Sequence, residues 1–283
     1  MGSARPGRYD AAMNSLPIGP LLRQWRTRRR RSQLDLALDV EVSTRHLSFV
    51  ETGRARPSRE LLLRLGAVLE LPLRERNRLL LAAGYAPHFP EHRIDEPELA
   101  QALEAVRQVL AAHTPYPAVA VDRHWNLVLA NATAQALLAG VAPELLAPPA
   151  NVLRITLHPQ GLAPAIVNLG EWRAHLLARL RRLVEQSGDA VLERLLEELK
   201  TYPTLPDEDQ PGGYDSPLPD VIVLFRLRSP AGELRLFSTI TVFGSPGDIT
   251  LSELALEAFY PADGETAERL RTITGDQPTS VAP

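Results

Sequence analysis

Five polar residues fall at spacings suited to contact with a nucleic acid: Gln33, Thr44, Arg45, His46 and Ser48. A glutamine amide pairs bidentately with adenine and a guanidinium with guanine, each pairing discriminating against a wrong base by roughly 1–3 kcal/mol. Ser32 and Ser43 are residues of the kind that cap helices, which puts Gln33 at the start of one short helix and Thr44, Arg45 and Ser48 on the outer face of the next. Leu36, Ala37 and Val40 hold the first helix inward, and Leu47 and Val50 hold the second. Two short helices joined by a tight turn offer the second to the major groove, which is wide enough to admit it. His46 either reaches a base or is an exposed polar residue beside the groove. The four arginines at 28–31 either track phosphates or complement the dipole of the helix that they end.

These residues need a frame, and helical periodicity supplies one from residue 18 to about 85. Leu21, Leu22 and Trp25 recur at helical spacing, as do Leu62, Leu65, Val68 and Leu69. A further helix closes at Gly84, so the expectation for residues 17–88 is an all-α unit of five helices. A small, polar, aperiodic stretch precedes it and is expected to be a disordered leader, residues 1–16. Charge separates this unit from the rest of the chain. Residues 1–90 hold 16 Arg against 8 acidic residues, a net +8, while the remainder holds 15 Lys and Arg against 26 acidic residues, a net −11. A basic first third on an acidic body suggests that one domain meets a polyanion and the other does not.

A proline-rich charged linker over 89–97 leads into a second domain, 98–274, followed by a disordered tail at 275–283. Here the period changes. After an amphipathic helix over 99–112, two apolar runs flank Asp122, Arg123 and His124 as strand, turn and strand. Two more β-rich runs flank a turn at 229–232, and 251–260 is a further strand candidate. Helices are expected over about 164–186 and 189–200. The acidic, Pro/Gly-rich segment between them and the next strand reads as a loop. The expected class is α+β, about five strands with helices to one side.

Several chemistries are excluded or weak. With no cysteine, disulfides, thiolate metal sites and thiol redox sensing are ruled out. Asp207, Glu208, Asp209 and Asp215 lack calcium-loop spacing, and His124, His158 and His175 lack zinc spacing, so no metal site is expected. No run reaches the roughly 18 apolar residues of a membrane span, and no phosphate-loop, dinucleotide or hydrolase fingerprint occurs. The expectation is a non-enzymatic cytoplasmic protein without a membrane partner.

The run from Ser32 to Ser58, with Leu36, Ala37, Val42, Leu47, Val50, Glu51, Gly53 and Pro57 at fixed places, resembles the XRE-family helix-turn-helix regulators. That resemblance implies base readout by Gln33, Thr44 and Arg45, phosphate contacts from Ser43, Arg54 and Arg56, and a structural role for Glu51. Glu41 stands where the family usually has a glycine. From residue 18 to about 271, through "NVLRITLHPQGLAPAIVNLGEWRAHLLARLRR" and "FGSPGDITLSELALEAFYPAD", the chain resembles the MmyB-like transcription regulators. This second resemblance implies a PAS-like ligand-binding domain and a fatty-acid-like ligand; no other cofactor is expected.

A sheet covered by helices can enclose an apolar cavity between the layers. Trp125, Trp172, Phe225, Phe237 and Phe243 are candidate walls, each with ordinary core as the alternative. Arg154, His158, Asn168 and His175 are candidate polar anchors, with Arg154 the first choice for a carboxylate and His158 the second. The expected function is a ligand-responsive transcriptional regulator that binds a double-stranded DNA operator as a homodimer, because one recognition helix reads only a few base pairs. The alternative is a helix-turn-helix adaptor whose second domain binds a protein.

Overall fold

The computed structural model describes residues 17–203, 223–244 and 246–275. The expected leader, the acidic loop with Asp207, Glu208, Asp209 and Asp215, and the tail beyond residue 275 lie outside the described residues. The first elements are α1 Ile18–Arg28, α2 Gln33–Asp39, α3 Thr44–Glu51, α4 Arg59–Val68 and α5 Leu73–Ala82. Next come α6 Pro97–Ala112, β1 Ala118–Val121, β2 Leu127–Ala130, α7 Ala132–Leu137, α8 Pro143–Leu146 and α9 Val152–Leu157. The chain continues with α10 Leu169–Ser187, α11 Ala190–Lys200, β3 Phe225–Ser229 and β4 Gly232–Val242. It closes with α12 Ile249–Ser252, β5 Ala255–Pro261 and α13 Gly264–Thr274.

The first unit is helical. Ser32, Ser43 and Ser58 each accept a backbone N–H from three residues on, starting α2, α3 and α4. Leu22, Trp25, Leu36, Leu47, Val50, Leu62, Leu65, Leu79 and Leu80 form its buried core. A Cβ at Gly19 would lie 2.4 Å from the Glu51 carbonyl oxygen, so glycine is what lets α1 pass so close to the end of α3. The turn between α2 and α3 keeps a left-handed residue without glycine: Glu41 sits at φ 55, which costs a residue with a Cβ roughly 1–2 kcal/mol.

Residues 244–252 group with this unit, although the sequence pattern places all of 98–274 in the second domain. Hydrogen bonds give the reason. Ile249 N–H donates to the Pro90 carbonyl (3.0 Å) and Thr250 Oγ1 to the His92 carbonyl (2.6 Å), while Asp248 Oδ2 accepts from both His92 N (3.1 Å) and Nδ1 (2.8 Å). Asn77, buried on α5, ties in the same stretch by accepting from His88 and Phe89 N–H.

The second unit is α+β. Its five strands are antiparallel in the order β2-β1-β5-β4-β3, a PAS-like arrangement. Strand alternation sends Val119 and Val121 toward α10 and α11, and Ala118 and Ala120 toward Val106 and Leu110 of α6. The helices therefore cover both faces at β1, which corrects the expectation of helices to one side. The expected helix over 164–186 starts only at Leu169. Pro164 belongs to a 3-10 turn, and Ile166 and Val167 pair with Leu227 and Arg226 of β3 instead of continuing a helix. The expected strand over 251–260 divides into the end of α12 and β5.

Candidate functional site

The first candidate site is the outer face around α3. Ser43 is exposed, and its Oγ accepts from His46 N–H (3.1 Å), so the hydroxyl is also the cap of α3. Arg45 is exposed and lies over the Phe49 ring at 5.3 Å, while Thr44, His46 and Ser48 are half-buried beside it. Gln33 donates to Glu51 Oε2 at 2.7 Å. Glu51 is buried and also receives Arg26 through Nε (2.6 Å) and Nη2 (3.0 Å), so it joins α1, α2 and α3. The Glu51 carboxylate holds the Arg26 guanidinium above its usual range.

The arginines divide by what they touch. Arg54 is exposed; its backbone N–H donates to the Phe49 carbonyl at 2.7 Å, and its guanidinium has no hydrogen bond or ion pair among the described residues. Arg56 donates to the Ala83 carbonyl (3.0 Å) and lies over Tyr85, so it also braces the end of α5. Within the four arginines at 28–31, Arg29 donates to the Leu69 and Glu70 carbonyls at the end of α4, and Arg31 pairs with Asp39. Those two serve packing and helix termini.

The second candidate site is a cavity of about 90 Å³ between the sheet and helices α7, α9 and α10. Its wall is aliphatic and aromatic apart from Thr156, Glu257 and the indole N–H of Trp172. Trp172 and Phe225 line it, their rings 4.9 Å apart. Three of the expected walls lie elsewhere. Leu236 faces the cavity, so its neighbour Phe237 points to the opposite side of β4 and stacks on Tyr260. Phe243 packs with Val106 and Leu256 on that opposite side. Trp125, held at φ 67 in the turn after β1, sits in the core beneath Arg179 at 4.1 Å.

The expected polar anchors are engaged away from the cavity wall. Arg154 follows the wall residue Leu153 on α9 and points elsewhere, donating through Nε and Nη2 to Glu198 at 2.7 Å each. That contact lowers the Glu198 carboxyl, while burial and Glu198 push the Tyr202 hydroxyl up to about 12. His158 Nδ1 accepts from Gln160 N–H, and its ring meets Tyr202 edge-on. Asn168 stitches the start of α10 to β3, donating to the Leu224 carbonyl and accepting from Arg226 N–H. His175 stacks on Trp172 at 5.4 Å without joining the wall, and burial, then Arg179 and Arg182, lower its proton affinity.

The profile of the MmyB-like transcription regulator ligand binding domain matches residues 102–273, the stretch that holds this cavity. The chain belongs to the MmyB-like transcription regulators. A helix-turn-helix domain profile matches residues 18–79 of this MmyB-like chain. No curated protein matches it. One solved structure, described as "Structure of an RNA-binding Light-Oxygen-Voltage Receptor", aligns at 13% identity over 91% of this chain, with a TM-score of 0.26. The alignment covers 64% of that structure, so the MmyB-like chain spans less than two thirds of its length. A score this low fixes no shared fold.

Sequence reasoning missed two features. Glu257 carries no motif; its place on the cavity wall follows from the pairing of β5 with β1 and β4. His92, Glu96 and Glu98 bring ligand-type atoms within 4.8 Å of one another. Their H-x-x-x-E-x-E spacing was readable in the sequence, but His92 is already engaged by Asp248. No helix among the described residues is long and apolar enough to cross a membrane.

Proposed function

We propose that this chain is a sequence-specific DNA-binding transcriptional regulator whose second domain senses a small apolar ligand, fatty-acid-like in its tail. The observation that carries the reading is the apolar cavity within the stretch matched by the ligand-binding profile, on the same chain as a helix-turn-helix motif with exposed Arg45 and Arg54. A cavity needs roughly 10–15 Å³ for one water-sized group, so about 90 Å³ suits a chain of roughly six to nine heavy atoms.

In this reading α3 enters the major groove, Thr44, Arg45, His46 and Ser48 meet base edges together with Gln33, and Ser43, Arg54 and Arg56 meet phosphates. The chain works as a homodimer on a two-fold operator. Leu34 and Leu38, 56% and 67% exposed on one face of α2, support a second copy as their cover. An operator as partner goes with a cytoplasmic location. The ligand changes operator affinity by no more than its differential affinity for two states of the protein.

Native mass spectrometry of the purified chain, followed by operator titration before and after extraction of bound small molecules, tests the reading. The expected result is a co-purifying apolar molecule whose removal shifts operator affinity. Operator affinity that is indifferent to every apolar chain molecule added would overturn the sensor.

A further inference from the structure

The cavity wall has a definite polar composition. Among its lining residues none is arginine, lysine or histidine. The Thr156 hydroxyl proton is used, since Oγ1 donates to the Val152 carbonyl at 2.7 Å. Trp172 is only 4% exposed, and its indole Nε1 is buried with no hydrogen-bond partner among the described residues. A buried donor left unmade is unfavourable, and native interiors hold few of them. Glu257 is 6% exposed; Ser238 Oγ (3.0 Å) and Arg179 Nη1 (3.1 Å) both donate to its Oε1. Both hydrogen bonds to this carboxylate from described residues thus end on one oxygen.

Charge decides what can share this space. The nearby cation, Arg179, lies outside the cavity wall. Its Nη1 is held by Glu257 and its guanidinium lies over the face of Trp125, while Nη2 is buried with no hydrogen-bond partner among the described residues. Arg154 is held by Glu198. A ligand carboxylate would enter a cavity whose one charged wall group is itself a carboxylate. Burying that charge without a partner is strongly unfavourable, and the like charge of Glu257 adds to it.

We infer that the ligand carries an uncharged head group that both accepts and donates a hydrogen bond, a hydroxyl being the simplest. The head accepts from Trp172 Nε1 and donates to Glu257 Oε2, while its apolar tail of about eight carbons fills the rest of the cavity. Arg179 then serves as a positioning residue that holds Glu257 Oε1 and so orients the carboxylate. This inference rests on the apolar-ligand reading above and adds to it the chemistry of the head group, an uncharged donor and acceptor in place of a carboxylate.

The test is calorimetric titration of the full chain with octanol, octanoate and octylammonium at about pH 8, where the acid is ionised and the amine protonated. Octanol should bind at least about tenfold more tightly than either charged analogue. Glu257→Gln removes the negative wall charge and frees Arg179, so octanoate should gain about tenfold while octanol weakens. Trp172→Phe keeps a ring in place and should weaken octanol by about fivefold to tenfold. Octanoate or octylammonium binding as tightly as octanol to the unmodified chain overturns the neutral head and leaves the apolar cavity standing. Unchanged octanol affinity in Trp172→Phe overturns the indole as donor. If none of the three binds, the apolar-ligand reading falls and this inference with it.

Discussion

Gln33 donates its side-chain N–H to Glu51 at 2.7 Å, so a residue placed for base readout is tied to a buried carboxylate that also holds Arg26. Glu51 is therefore a structural centre, and Glu51→Ala should strand Arg26 in a largely buried position. The expected loss is about 3–5 kcal/mol of stability, read by urea denaturation of the helical unit. A loss below about 1 kcal/mol would mean that the pairing contributes little.

Arg45 and Arg54 should separate specificity from affinity. Arg45→Ala should lower operator binding by about 1–3 kcal/mol and relax preference at one base pair, whereas Arg54→Ala should weaken all sequences alike and flatten the salt dependence. Selection of bound sequences from a random library reads both effects. An unaltered preferred sequence in Arg45→Ala would remove that side chain from base readout.

Arg154 yields the opposite expectation from the one its sequence position suggests. Held by Glu198 in a half-exposed pair, it should leave octanol affinity within about twofold when changed to alanine, and its loss should cost less than about 1 kcal/mol of stability. A tenfold fall in ligand affinity would return it to the cavity.

The range of each interaction sets how much of it was legible in the sequence. The caps at Ser32 and Ser43 and the inward Leu36, Leu47 and Val50 were legible, because local periodicity and capping chemistry reach only a few residues. The strand pairs β1–β2 and β3–β4 were legible from their turns. The cavity wall was less so: Phe237 and Leu236 are adjacent apolar residues, and only the register of β4 decides which one faces inward. Glu257 lies on the wall because β5 inserts between β1 and β4, a long-range pairing without a local signal. Arg154 pairs with a residue 44 positions away.

The contact of His92 with Asp248 should respond to pH. The Asp248 hydrogen bond raises the imidazole above its ordinary proton affinity, with Glu98 and Glu96 adding to the effect. A folded state that binds the proton more tightly gains stability fully below the ordinary imidazole value, and loses it as pH rises through the elevated one. The protection factor of the Ile249 amide, which donates to the Pro90 carbonyl, should fall over that interval and become flat in His92→Gln. Hydrogen exchange read residue by residue checks it, and a flat profile in the unmodified chain would count against the linkage.

Dimer formation should depend on the exposed pair on α2. Leu34→Glu with Leu38→Glu should shift the chain toward monomer in light scattering and weaken binding to operators whose half-sites lie about 10 base pairs apart. A chain that stays monomeric on such an operator would remove the homodimer.

The membership of residues 244–252 in the helical unit bears on how the protein can be taken apart. A recombinant fragment covering 17–88 would lack Ile249, which is fully buried, and Asp248 with its His92 contact. Such a fragment should melt earlier than the same helices in the whole chain. A protease that nicks the backbone between residues 93 and 97 would still leave the downstream piece docked through Ile249 and Thr250 against Pro90 and His92. The two pieces should co-elute as one species until a denaturant parts them.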